Sequence, residues 1–163
     1  MLVLLLMLFS LAATPGAQAQ QDRPDLFFLS AGEADIDEED NAVFIGAEWR
    51  AERFRFLRYA VPFLNGFVTQ DGSAFGGFGI AFPFTFFEDR IGFSAFTGFG
   101  GYRRGNGKDL GSIAQFRSGG EVAYILPSKA QISLGVDHIS NAGIDERNPG
   151  SNQIFLRYAI PFR

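Results

Sequence analysis

The chain contains no cysteine and only one histidine, His138, in 163 residues. Without thiols there is no disulfide framework, and without a Cys/His cluster no metal site is expected. Lysine and arginine form no stripe, and the formal charge of −4 argues against nucleic acid as a partner. Past residue 19, no apolar run reaches the roughly 20 residues a membrane-spanning helix needs. Nor does any stretch hold a 3.6-residue period, so helices are not expected to build the fold.

What is abundant is phenylalanine and glycine, 20 of each. Interleaved, they suit a curved sheet, with Gly allowing bends and Phe filling or coating a face. The period is two almost everywhere. It predicts strands at 42–50, 53–63, 65–71, 75–86, 91–103, 113–126, 130–140 and 152–162. Turn chemistry separates most of them, as at Asp71-Gly72-Ser73, Gly105-Asn106-Gly107, Pro127-Ser128-Lys129 and Asn148-Pro149-Gly150.

The first residues read differently. Met1 to Ala13 is apolar apart from Ser10, and Ala17-Gln18-Ala19 supplies a small-x-small cleavage site. The run is too short for a transmembrane anchor. Residues 1–19 are therefore expected to be a signal peptide, 20–41 an N-terminal extension with an acidic loop, and 42–163 the folded domain. No Lys or Arg precedes the apolar run, so the expectation is either a true start codon upstream or a lost positive region. The acidic loop, 35–40, is read as a solvated connection.

The last strand carries the membrane signal. Ile154, Leu156, Tyr158, Ile160 and Phe162 share one face, whereas Gln153, Phe155, Arg157, Ala159 and Pro161 share the other. An apolar face opposite a mixed face with Arg fits a barrel in lipid. Residues 56–63 and 155–162 repeat nearly the same octapeptide, FLRYAVPF and FLRYAIPF. The same alternation puts Leu57, Tyr59, Val61 and Phe63 on the lipid side and Arg58, Ala60 and Pro62 opposite. The expected fold is all-β, an eight-stranded antiparallel transmembrane β-barrel. A soluble lipocalin-like barrel is the alternative, with apolar inside and charge outside.

His138 and Ser140 lie two apart in a strand, on one face, with Cβ atoms about 7 Å apart. His138 could then take the Ser140 hydroxyl proton as general base. Their parity continues through Val136, Leu134 and Ile132, the face assigned to lipid. Asn152 shares the parity of Ile154 and Leu156, and a hairpin around 141–151 brings it beside His138. With an even strand count and periplasmic termini, that hairpin is extracellular, so the three polar groups face the outer leaflet. Polar groups facing lipid require a reason.

The run His-Ile-Ser-Asn-Ala-Gly at 138–143, then Asn148-Pro149-Gly150 and a terminal amphipathic strand, resembles the lipid A 3-O-deacylase (PagL-like) family. Residues 107–112 (GKDLGS), Phe116 to Gly119 and Glu121 resemble it as well. The resemblance implies an outer-membrane barrel that hydrolyses the 3-linked acyl ester of lipid A. By position, Ser140 would be the nucleophile and His138 the base. Asn141, Asn148 and Gly150 would lie around the site, with Asn148 near the oxyanion. Lipid A in lipopolysaccharide is the implied substrate, with outer-membrane lipid around it and no cofactor. A homodimer is left open.

The departure is at Asn152, where the family carries a Glu that orients the histidine. An amide can accept the imidazole N–H but brings no charge. In a serine protease triad that exchange costs about 10⁴ in turnover, through the wrong tautomer. Asp145 and Glu146 in the hairpin loop are the alternative carboxylates, whereas Asp137 points to the opposite face. The second reading is a catalytically impaired barrel with a lipid-binding or structural role.

Overall fold

Alternating side chains make each segment two-faced, and closing the sheet gives every backbone group a partner, as hydrocarbon demands. In the computed structural model, which describes residues 23–37, 41–56 and 59–162, eight antiparallel strands close on themselves in sequence order. They are β1 (Asp25–Ala34), β2 (Ala42–Arg50), β3 (Val61–Thr69), β4 (Ala74–Phe86), β5 (Ile91–Arg103), β6 (Ala114–Ile125), β7 (Gln131–Ser140) and β8 (Ser151–Phe162). Strand β1 pairs antiparallel with β8 and seals the barrel. The expected signal peptide lies outside the described residues, as do Leu57 and Arg58 of the octapeptide and residues 38–40 of the acidic loop.

Two expected boundaries need correction. The barrel begins at Asp25 and not at residue 42. Leu26-Phe27-Phe28-Leu29 is apolar on both faces, Leu26 and Phe28 inside and Phe27 and Leu29 outside, so no alternation marked it as a strand. The expected strands 53–63 and 65–71 are a turn followed by the single strand β3. Residues 51–56 fold back through a 3-10 turn at Glu52–Phe54, with Arg55 on Glu52 at 2.6 Å and Arg53 on Asp25 at 3.2 Å. These two errors cancel in the strand count.

That turn also shifts the period. Tyr59 is exposed, but Ala60 and Val61 are both buried and Phe63 points inward. Val61 and Phe63 therefore leave the lipid side expected for them, because a slip of one residue exchanges the faces. Their counterparts in β8, Ile160 and Phe162, stay outside. The two octapeptides thus show opposite faces over their last three residues.

Strand β8 follows its pattern, with Ile154, Leu156, Tyr158, Ile160 and Phe162 exposed and Gln153, Phe155, Arg157 and Ala159 buried. Outward Leu29, Ile45, Leu64, Phe78, Val122 and Leu134 continue the apolar belt around the wall.

The interior is only partly polar. Phe44, Phe63, Phe67, Phe75, Phe96 and Phe155 form an aromatic core with Leu110 and Ile139. Glycines make room for these rings: a Cβ on Gly79 would stand 2.5 Å from the Phe63 ring, and one on Gly135 would strike Phe155. Beside this core lies an ionic network. Arg50 pairs with Glu48 and Glu121, each at 2.6 Å, and Arg157 reaches both carboxylates at 3.4 and 3.3 Å. Arg157 also lies 4.1 Å from the Phe155 ring centroid. Arg117 and Asp137 form a separate pair at 2.5 Å.

Candidate active site

The β7–β8 hairpin positions the three polar groups. In β7, Ser133, Gly135, Asp137 and Ile139 point inward and Ile132, Leu134, Val136 and His138 outward. Ser140 continues the outward set at the strand end and is half-buried. Residue 138 is in register with residue 152 across the hairpin. His138 Nδ1 and Asn152 Oδ1 meet at 2.7 Å. Asn152 is the expected acceptor, and the contact forms on the outer wall.

The loop 141–150 is held from within. Asn141 is fully buried, and its Nδ2 donates to the Leu110 carbonyl (2.9 Å) and the Arg147 carbonyl (2.7 Å). Its Oδ1 accepts the Gly143 N–H. Asn141, expected around the site, thus anchors the loop beside Ser140 with its amide turned inward. Asn148 is exposed, and its Oδ1 accepts the Asn141 N–H at 2.9 Å. Gly150 has φ +69 and backs the imidazole: a Cβ there would stand 2.5 Å from His138 Cε1 and 3.0 Å from Nε2. Only glycine allows both that conformation and that approach.

The neighbouring loop braces this one. Asp109 accepts the Gly111 N–H at 3.0 Å and faces Arg147 at 3.4 Å and Arg104 at 3.6 Å. The Gly111 hydrogen bond, helped by the two guanidinium groups, holds the Asp109 carboxyl below its ordinary range. Asp145 caps the Arg147 N–H at 3.1 Å, and neither it nor Glu146 is hydrogen-bonded to His138.

Among the described residues, the carboxylate that reaches the site is Asp37, which accepts from Asn152 Nδ2 at 3.1 Å. Sequence reading passed over it, because an acidic run before the first expected strand reads as a solvated loop. The β1–β8 pairing carries it there: the Ile36 N–H, two residues past the end of β1, donates to the Asn152 carbonyl at 3.2 Å. Lys108 reaches Asp35 at 3.3 Å and secures the same turn.

Below the histidine the wall is hollow. A cleft of about 480 Å³ is lined by Ile36, Asp37, Ser118, Gly120, Val136, His138 and Asn152, among others. Ser118 is in register with His138 and Gly120 with Val136. On the next strand Thr97 pairs with Ser118 and Ala95 with Gly120, which extends the line of short side chains. Phe116, Phe99 and Phe78 stand above it, with ring centroids 5.2 and 6.4 Å apart, and Phe93 and Val122 below.

Residues 44–161 match the family model for lipid A 3-O-deacylase (PagL). The chain belongs to that family. Among solved structures, the crystal structure of the outer membrane enzyme PagL superposes with a TM-score of 0.68 at 18% identity, covering 84% of this chain and 99% of that one. A structure from the de novo design of transmembrane β-barrels superposes with a TM-score of 0.57 at 13% identity, covering 86% and 97%. No curated protein matches. The deacylase barrel is thus an outer-membrane protein of a hydrolase family that acts on lipid A. The site-bearing hairpin falls within the matched residues.

Proposed function

We propose that this deacylase removes the 3-linked acyl chain of lipid A through Ser140 and His138 at the outer leaflet. The observation that carries the reading is the 2.7 Å contact between His138 Nδ1 and Asn152 Oδ1 on the lipid-facing wall. An oxygen at Nδ1 keeps the ring proton there and leaves the Nε2 lone pair basic. Ser140 Oγ attacks the ester carbonyl as its proton passes to Nε2. The tetrahedral intermediate collapses, the bond to the sugar oxygen breaks, and the imidazolium returns that proton to the leaving hydroxyl. Water, deprotonated by His138, then cleaves the acyl-serine, and the proton restores the Ser140 hydroxyl. Asn148 Nδ2, whose partner oxygen is engaged by the Asn141 N–H, is the side-chain donor assigned to the oxyanion. The acyl chain lies along Gly120 and Ala95, where short side chains leave a bed between aromatic ridges.

Mass spectrometry of lipid A from cells expressing the protein tests this. Loss of one 3-linked hydroxyacyl chain, abolished by Ser140→Ala, is expected; an unchanged profile in the wild type sinks the reading. The neutral amide at 152 favours the second reading, a barrel retained for lipid binding. On that reading lipid A is untouched until Asn152→Glu supplies the charge.

A further inference from the structure

A bare asparagine beside a histidine is ambiguous. Its oxygen and its NH2 have nearly the same shape, so the amide can present either one to Nδ1. With the oxygen inward, Nδ1 carries the proton and Nε2 is the base. With the NH2 inward, Nδ1 must accept, the proton moves to Nε2, and no base faces the nucleophile. That second arrangement is the tautomer fault that disables the amide-substituted protease triad.

The surroundings of Asn152 remove the ambiguity. Asp37 Oδ2 stands 3.1 Å from Asn152 Nδ2, while Asn152 Oδ1 stands 2.7 Å from His138 Nδ1. An ionised carboxylate only accepts, so it fixes the NH2 on its own side and turns the oxygen toward the ring. Asp37 is in turn held by the Ile36 N–H on the Asn152 carbonyl and by Lys108 on Asp35.

We infer that Asp37 is a positioning residue: through Asn152 it selects the Nδ1-protonated tautomer of His138 and stands in, one hydrogen bond further out, for the missing acid. The inference rests on the Ser140/His138 reading for its catalytic consequence. Its structural consequence is independent of that reading. The imidazolium formed during turnover faces a dipole oriented by a carboxylate, which lowers its energy less than direct contact with a charge would.

Because His138 is the only histidine, ¹⁵N-histidine labelling of the full chain in detergent micelles reports a single ring. At a pH where the ring is neutral, the wild type is expected to show one tautomer, protonated at Nδ1. Asp37→Ala is expected to give a mixture and to lower kcat on lipid A roughly tenfold with KM unchanged. Asp37→Asn, which keeps an acceptor oxygen, falls between. In an Asn152→Glu background the loss from Asp37→Ala shrinks, because the introduced carboxylate takes the Nδ1–H itself. A single Nδ1-protonated tautomer with unchanged kcat in Asp37→Ala overturns the inference, as does an equal loss in the Asn152→Glu background. If the wild type releases no acyl chain, the esterase reading fails while the tautomer still decides the role of Asp37.

Discussion

The barrel carries two polar clusters, one on each side of the same wall. Inside, Glu48, Arg50, Glu121 and Arg157 are buried and paired in a closed ring of opposite charges. Outside, His138, Asn152 and Asp37 form an open chain with one ring nitrogen left over. Adjacent residues of β7 show the contrast: Asp137 faces in to Arg117, and His138 faces out to Asn152. Buried charges must be neutralised by partners, since desolvation is expensive. The outer groups leave capacity unused, which stability alone does not require. The inner cluster is thus paired on every side, whereas the outer one leaves a ring nitrogen available to a ligand, as the proposed esterase requires.

Substitutions can break this contrast. The largest effect is expected from Ser140→Ala, which should lower kcat by about 10⁶ while shifting unfolding in urea by under about 0.5 kcal/mol. A large loss of stability would place Ser140 among the structural groups. Glu121→Ala should do the reverse. It strips a partner from both Arg50 and Arg157 and should destabilise the barrel by about 3 kcal/mol, with kcat of the folded fraction little changed. Equilibrium unfolding in lipid vesicles, paired with an activity assay, separates the two. Gly150→Ala should show both effects at smaller size. A Cβ crowds the His138 ring, so kcat should fall roughly 10²-fold from misplacement, and φ +69 adds about 1 kcal/mol of strain. Asp37→Ala follows, with its tenfold loss of kcat.

The smallest expected effect is acid loosening of the loop brace. The carboxyl of Asp109 is held low in the folded state, so its contribution is complete above the ordinary carboxylate range and is lost as pH falls through the lowered value. Limited proteolysis of 141–150 should therefore accelerate only in strong acid. Acceleration already near neutral pH would show that the Asp109 contacts do not hold the loop.

Strands β7 and β8 were legible because each has one apolar and one mixed face, and their parity placed His138, Ser140 and Asn152 together on the outer wall. Strand β1 was hidden because Leu26 to Leu29 satisfy core and lipid at once. The inward turn of Val61 and Phe63 could not be read from alternation, since the turn at Glu52–Phe54 interrupts the expected strand and Ala60 and Val61 are both buried. The family resemblance placed Asn141 around the site, and in the fold its amide holds the loop through the Leu110 and Arg147 carbonyls.

By itself the sequence determined the architecture, the outward face of β7 and β8, and the placement of His138 beside Asn152. These follow from a period of two and from contacts within one hairpin. The tertiary structure decided where the barrel begins, how much of its interior is aromatic, and which carboxylate serves Asn152. Asp37 lies 115 residues from Asn152 in the chain. Only closure of β1 onto β8 brings the two within hydrogen-bonding distance, and no local pattern records a contact made by closing a ring.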